Sequence, residues 1–166
     1  MISAETVTQV WQEVAQTPAQ DASSLISKMK AEQSEILAYL LASEAYHLNR
    51  HEVEQVFYIG MVVWQIMTRS EKQLRRVTRR KLKSADQANE AFLDTLASDT
   101  EADFTSATRA MFENYPEPEV LRYVLEALME DDERDPDDPL IRDEYRGLAF
   151  MLLKTVLDAL IDSQAK

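Results

Sequence analysis

The chain has 166 residues, 45% of them apolar and 29% charged, with a net charge of −12 and no cysteine. That length and balance describe a globular chain with one sizeable core and exclude a disordered one. The missing cysteines exclude disulfides, thiolate metal sites and cysteine nucleophiles, and two glycines with five prolines leave too little turn chemistry for a β-rich fold.

Ser3-Ala4-Glu5 opens a first helix, expected over about 4–16. Thr17-Pro18-Ala19-Gln20 reads as a capping box with proline at the first helical position, where its missing N–H costs nothing, and opens a second over about 18–31. A third, over about 34–47, carries the stripe Ile36, Leu37, Leu40 and Leu41. Asn49-x-x-Glu52 resembles another capping box and starts a fourth over about 50–82, apolar almost all round from Val56 to Met67. Further boxes at Ser84-x-x-Gln87 and Ser98-x-x-Glu101 open helices over about 85–97 and 99–114. A seventh, over about 118–132, carries Val120, Leu121, Val124, Leu125 and Leu128. Asp138-Pro139 caps the last, over about 139–163, which is apolar almost all round from Leu148 to Leu153.

The two halves of this series resemble each other. Ser3-Ala4-Glu5 is answered by Ser84-Ala85-Asp86, and Val10-Trp11 by Ala91-Phe92. Glu35 to Leu41, with Tyr39 inside it, is answered by Glu119 to Leu125 with Tyr123. Tyr58-x-Gly60 is answered by Tyr145-x-Gly147, the only two glycines. The expected fold is therefore all-α: one compact domain spanning 1–166, of about eight helices. It would arise by tandem duplication of four-helix units, repeat 3–83 and repeat 84–166, related by a pseudo-two-fold. The helices near 50–82 and 139–163 should lie at its centre, wrapped by the others. A glycine inside a helix costs stability, so these two helices are expected to cross near Gly60 and Gly147.

Three features differ between the halves, and any function is sought there. Residues 3–83 carry 9 acids and 11 bases, whereas 84–166 carry 21 acids and 7 bases. The bases concentrate in Arg69, Lys72, Arg75, Arg76, Arg79, Arg80, Lys81 and Lys83, opposed only by Glu71. On a continuous helix Arg69, Lys72, Arg76, Arg79, Arg80 and Lys83 would share a face, suited to an acidic protein surface. Nucleic-acid phosphates are the alternative, but residues 65–91 hold no aromatic on which bases could stack. The second feature, Glu130 to Asp138, has seven acids against one arginine. It lacks the glycine of a calcium loop, reads as a solvated cap for the next helix, and could dock the basic stretch within or between chains. The third is Glu44-x-x-His47-x-x-x-His51, which holds both histidines and would align three metal donors on a continuous helix. The turn expected at Leu48-Asn49-Arg50 breaks that register, so no metal or other cofactor is expected.

Catalytic patterns are missing: no phosphate-cradling glycine loop, no Gly-x-Ser-x-Gly, no His-Glu-x-x-His. Arg142 and Arg146 are expected to pair with Asp138 and Asp143. The longest apolar stretch, Phe57 to Trp64, is far short of a membrane span, and Glu5 and Glu13 occupy the place of a basic leader. The expectation is a non-enzymatic cytoplasmic adaptor that binds a protein partner or a second copy of itself by charge complementarity. A nucleic-acid-associated regulator using 69–83 stands second, and a metal-binding helical protein using Glu44, His47 and His51 third.

Overall fold

The computed structural model describes residues 1–97, 101–129 and 141–166. Within them eight α-helices follow one another, with no strand: α1 (Ala4–Ala15), α2 (Ala19–Glu32), α3 (Ser34–Leu41), α4 (Arg50–Thr68), α5 (Arg79–Ala97), α6 (Glu101–Glu113), α7 (Pro118–Met129) and α8 (Asp143–Asp162). A 3-10 helix, Ala42–Tyr46, continues α3. The helices form one compact domain, and none of those described is long and apolar enough to cross a membrane.

Local chemistry explains several of the boundaries. Ser3 caps α1, its hydroxyl accepting from Thr6 N at 3.2 Å, while Val7 and Val10 enter the core. Asn49 and Glu52 form the full capping box of α4: Glu52 N donates to Asn49 Oδ1 at 2.9 Å, and Asn49 N to Glu52 Oε1 at 2.8 Å. The box expected at Thr17 does not form. Its hydroxyl turns back to donate to Glu13 O at 2.8 Å, leaving Pro18 at the N-cap without a side-chain bond. Ser84 is no cap either, because α5 begins five residues earlier, where Thr78 Oγ1 accepts from Lys81 N at 3.2 Å. The caps expected at Ser98 and Asp138 lie outside the described residues.

α4 and α8 are the buried helices. Val56, Ile59, Val62, Val63, Trp64, Ile66 and Met67 on one, and Ala149, Leu153, Val156, Leu157 and Leu160 on the other, have almost no exposed surface. The two helices pack on each other; α1 and α3 flank α4, and α5 and α7 flank α8. α2 rests on α3, and α6 on α5 and α7. The third and seventh helices bury Ile36, Leu40, Val120, Leu121, Val124 and Leu128 of their stripes, while Leu37 is half-buried and Leu41 and Leu125 emerge.

The expected 50–82 helix is corrected: α4 stops at Thr68 and residues 69–78 leave the helical path. Continuing the helix would stack like charges at three- and four-residue spacing. The segment instead finds better partners for its backbone. Arg75 N donates to Ser163 O at 3.0 Å, Ala165 N to Gln73 O at 2.8 Å, and Val77 N to Gln33 Oε1 at 2.9 Å, while Gln33 Nε2 donates to Arg75 O at 3.1 Å. Val77 is fully buried beneath this strap.

The glycine expectation is corrected as well. A Cβ on Gly60 would lie 2.6 Å from Leu40 Cδ1, so the close approach is made by α3, whereas a Cβ on Gly147 would meet nothing within 4 Å. The two substitutions should therefore part company. Gly60→Ala is expected to cost about 1–3 kcal/mol by overpacking a filled core. Gly147→Ala, on an exposed helical position, should add up to about 1 kcal/mol through helix propensity. Urea denaturation of both variants reads this directly; equal effects would mean that the α3 contact is not tight.

Candidate interaction surface

The basic residues between Arg69 and Lys83 do not form one helical stripe, because only those from Arg79 onward belong to α5. Half of them work inside the molecule. Arg69 Nη2 pairs with Glu13 Oε2 at 2.6 Å, and Arg79 Nε with Glu35 Oε2 at 3.4 Å. Arg76 Nη2 donates to Ala31 O in the last turn of α2, and Lys81 Nζ to Asp162 O at 2.8 Å in the last turn of α8. A cation at a helix C-terminus satisfies free carbonyls and complements the dipole. The side chains of Lys72, Arg75, Arg80 and Lys83 are exposed and make no ion pair with a described residue. Of the six residues expected to share a face, Lys72, Arg80 and Lys83 are thus left available, and Arg75 joins them.

The acidic counterpart expected at 130–138 lies outside the described residues. Glu44, His47 and His51 are parted by the fold. Glu44 sits in the 3-10 helix, His47 terminates it in the left-handed conformation at φ 69°, and His51 is in the first turn of α4. The one-face alignment a continuous helix would give is therefore absent, and among the described residues no group of three potential ligands is positioned to hold a metal.

Arg146 pairs with Asp143 at 3.3 Å, as its spacing suggested. Arg142 reaches instead across 90 residues to Glu52: Nη2 donates to Oε1 at 2.7 Å and backbone N to Oε2 at 2.9 Å. Its guanidinium also donates to His47 O at 3.0 Å and lies 4.2 Å from the centre of the Tyr145 ring. Glu52 is 1% exposed. Burial alone raises its pKa, but the bonds from Arg142 and from backbone Asn49 and Arg142 outweigh it, leaving the carboxyl below its ordinary value.

A second polar cluster lies between α5 and α8 and was not foreseen. Lys154 Nζ donates to Asp158 Oδ2 at 2.8 Å and to Asn89 Oδ1 at 2.9 Å. Asn89 Nδ2 donates to Thr155 Oγ1 and to Asp158 Oδ2, both at 3.0 Å, and the Tyr115 hydroxyl donates to Asp158 Oδ1. Nearby, the Tyr39 hydroxyl donates to Asp86 Oδ1 at 2.8 Å. Burial, then the facing carboxylate, pushes both tyrosines well above the ordinary phenol pKa, so they remain donors. The signal was present in Lys154 and Asp158, one turn apart inside an otherwise apolar helix: buried polar residues require partners.

No protein-family model, curated protein or solved structure matches this chain.

Two outcomes test these clusters. Glu52→Gln should cost about 1–3 kcal/mol near neutral pH, because buried donors lose their charged acceptor. Since the folded pKa lies below the unfolded value near 4.5, the carboxylate's stabilisation is complete above that value and is lost as pH falls through the folded pKa. The gap between wild type and variant should accordingly close in acid denaturation series below about pH 4; a constant gap would mean that the charge is not what matters. Asn89→Ala removes an acceptor of the buried Lys154 and should cost about 1–3 kcal/mol by chemical denaturation. An unchanged midpoint would show the cluster to be adequately hydrated without it.

Proposed function

We propose that this protein is a non-enzymatic interaction module that binds an acidic protein surface through the cations between Arg69 and Lys83. One observation carries the reading: in a chain of net charge −12, Lys72, Arg75, Arg80 and Lys83 stand exposed without an acidic partner among the described residues. With acids in excess, cations left unpaired are available to a second molecule, and their attraction steers encounter as well as holding the complex. The segment Glu130 to Asp138, six negative charges net, makes a second copy of the chain one such partner. Nucleic acid is the weaker reading, since the cations are split between the 69–78 segment and α5 and lack stacking aromatics. A cytoplasmic setting accompanies this reading.

The architecture is read as a tandem duplication. α4 faces α8, α1 and α3 flank the one as α5 and α7 flank the other, and the α1–α7 contact is answered by α3–α5. The α4–α7 contact has no equally extensive counterpart between α8 and α3, so the symmetry of neighbours is incomplete.

A poly-glutamate surface and a duplex oligonucleotide, compared at low and physiological salt, test the proposal. Retention on poly-glutamate that weakens with salt, and falls about tenfold in Arg80→Glu/Lys83→Glu, is expected. Retention indifferent to that charge reversal overturns the assignment, and selective retention on the duplex transfers it to the nucleic-acid reading. Light scattering should show a dimer that salt dissociates; a monomer at every salt concentration removes self-association and leaves an unlike acidic partner.

A further inference from the structure

Residues 69–78, between α4 and α5, contain neither glycine nor proline, and seven of the ten are arginine, glutamate, lysine, glutamine or leucine, all good helix formers. Local preference would carry one helix straight through from α4 to α5. What holds the segment off that path comes from far away in sequence. Gln33, between α2 and α3, binds Arg75 O and Val77 N, while Ser163 and Ala165, beyond α8, bind Arg75 N and Gln73 O. The segment therefore has two competing conformations, a strap sustained by distant partners and a helix sustained by itself.

The helical alternative is incompatible with the closed molecule. Lys81, at the start of α5, reaches the end of α8 at Asp162, and Asn89, further along, meets Thr155 and Asp158 further back, so α5 runs against α8. The beginnings of α4 and α8 are joined through Glu52 and Arg142 and their ends through the strap, so α5 runs against α4 too. Straightening 69–78 would swing α5–α8 away from α1–α4. That would open the packing of α4 on α8, α1 on α7 and α3 on α5. It would also part Glu52 from Arg142, Tyr39 from Asp86 and Ile2 N from Glu117. Opened alone, the chain loses all of these contacts; a second opened copy supplies every one of them.

We propose that residues 69–78 are a hinge through which two copies of this chain exchange halves, α1–α4 of one packing on α5–α8 of the other while α4 and α5 join into one helix. The exchanged dimer gives up the strap bonds and the burial of Val77 and gains the backbone bonds of a continuous helix. It differs from an association held by charge complementarity in its response to salt. A continuous helix stacks the like charges of the segment, and screening relieves them, so salt favours the exchange.

Refolding from urea at high protein concentration should yield, besides monomer, a dimer that is separable by size exclusion, persists on dilution and gains yield with salt. Because the chain has no cysteine, Tyr39→Cys/Asp86→Cys treated with a short bis-maleimide reports which halves are paired. On a denaturing gel the monomer should carry the link within one chain and the dimer between two. Gln33→Ala removes two bonds from the strap and none from the helix, so it should raise the dimer's share. Lys72→Gly/Arg75→Gly, both at exposed positions, penalises only the helix and should lower that share by about tenfold or more. A dimer whose links all lie within single chains, or whose share ignores both hinge variants, overturns the exchange. If that dimer also dissociates in salt, the charge-complementary association proposed above stands in its place. Monomer alone under every condition, with Gln33→Ala still unfolding cooperatively, overturns the exchange as well.

Discussion

A single buried carboxylate ties the two central helices together at their beginnings. Glu52 occupies the first turn of α4, where it returns to the Asn49 N–H, and it also accepts the backbone N–H of Arg142 at the N-cap of α8. One negative charge therefore serves two helix N-termini, each of which presents unpaired N–H groups and the positive end of a dipole. Arg142 completes the arrangement by neutralising that charge and by holding His47 O, at the turn that sends the chain into α4. Burying Glu52 is tolerable only because all of these donors converge on it.

The opposite ends are tied by backbone. Just beyond α4, Gln73 and Arg75 exchange hydrogen bonds with Ala165 and Ser163, just beyond α8. With N-terminal ends joined through Glu52 and C-terminal ends joined through this strap, α4 and α8 run in the same direction. Parallel helices place their negative ends side by side, and cations are found there: Lys81 on the last carbonyl of α8, with Arg76 on the neighbouring end of α2. The basic stretch is thus divided. Arg76 and Lys81 satisfy helix-end carbonyls and Arg69 and Arg79 pair with Glu13 and Glu35, while Lys72, Arg75, Arg80 and Lys83 make no ion pair with a described residue.

Periodicity and caps in the sequence were sufficient for the helical class, for α4 and α8 as the buried pair, and for the Asn49 box, because these are local or statistical properties of apolar spacing. They failed where a long-range competitor decided the outcome. Nothing near Thr68 announces the end of α4; the reason lies in Gln33 and Ser163, far away in sequence. Leu74 and Val77 kept the helical spacing plausible, yet Val77 is buried as the plug beneath a strap. Ser84 carried a valid capping signature, but Thr78 offered one earlier, and the first competent cap opened the helix. Gly60 and Gly147 looked equivalent because the sequence does not show which neighbour, if any, stands over each. The candidate surface suffered most, since the expectation that six cations share a face depended on the helical continuity that the strap abolishes.

The same dependence on distant partners bears on where function can lie. Between α5 and α8, the polar groups of Asn89, Lys154, Thr155 and Asp158 are matched by one another and by Tyr115, so this cluster fixes the seating of α5 on α8. Trp64 lies at the other extreme: its buried indole Nε1 has no hydrogen-bond partner among the described residues. Satisfied polar groups stabilise a fold, whereas a buried donor left unpaired is a cost that the packing around it has to offset.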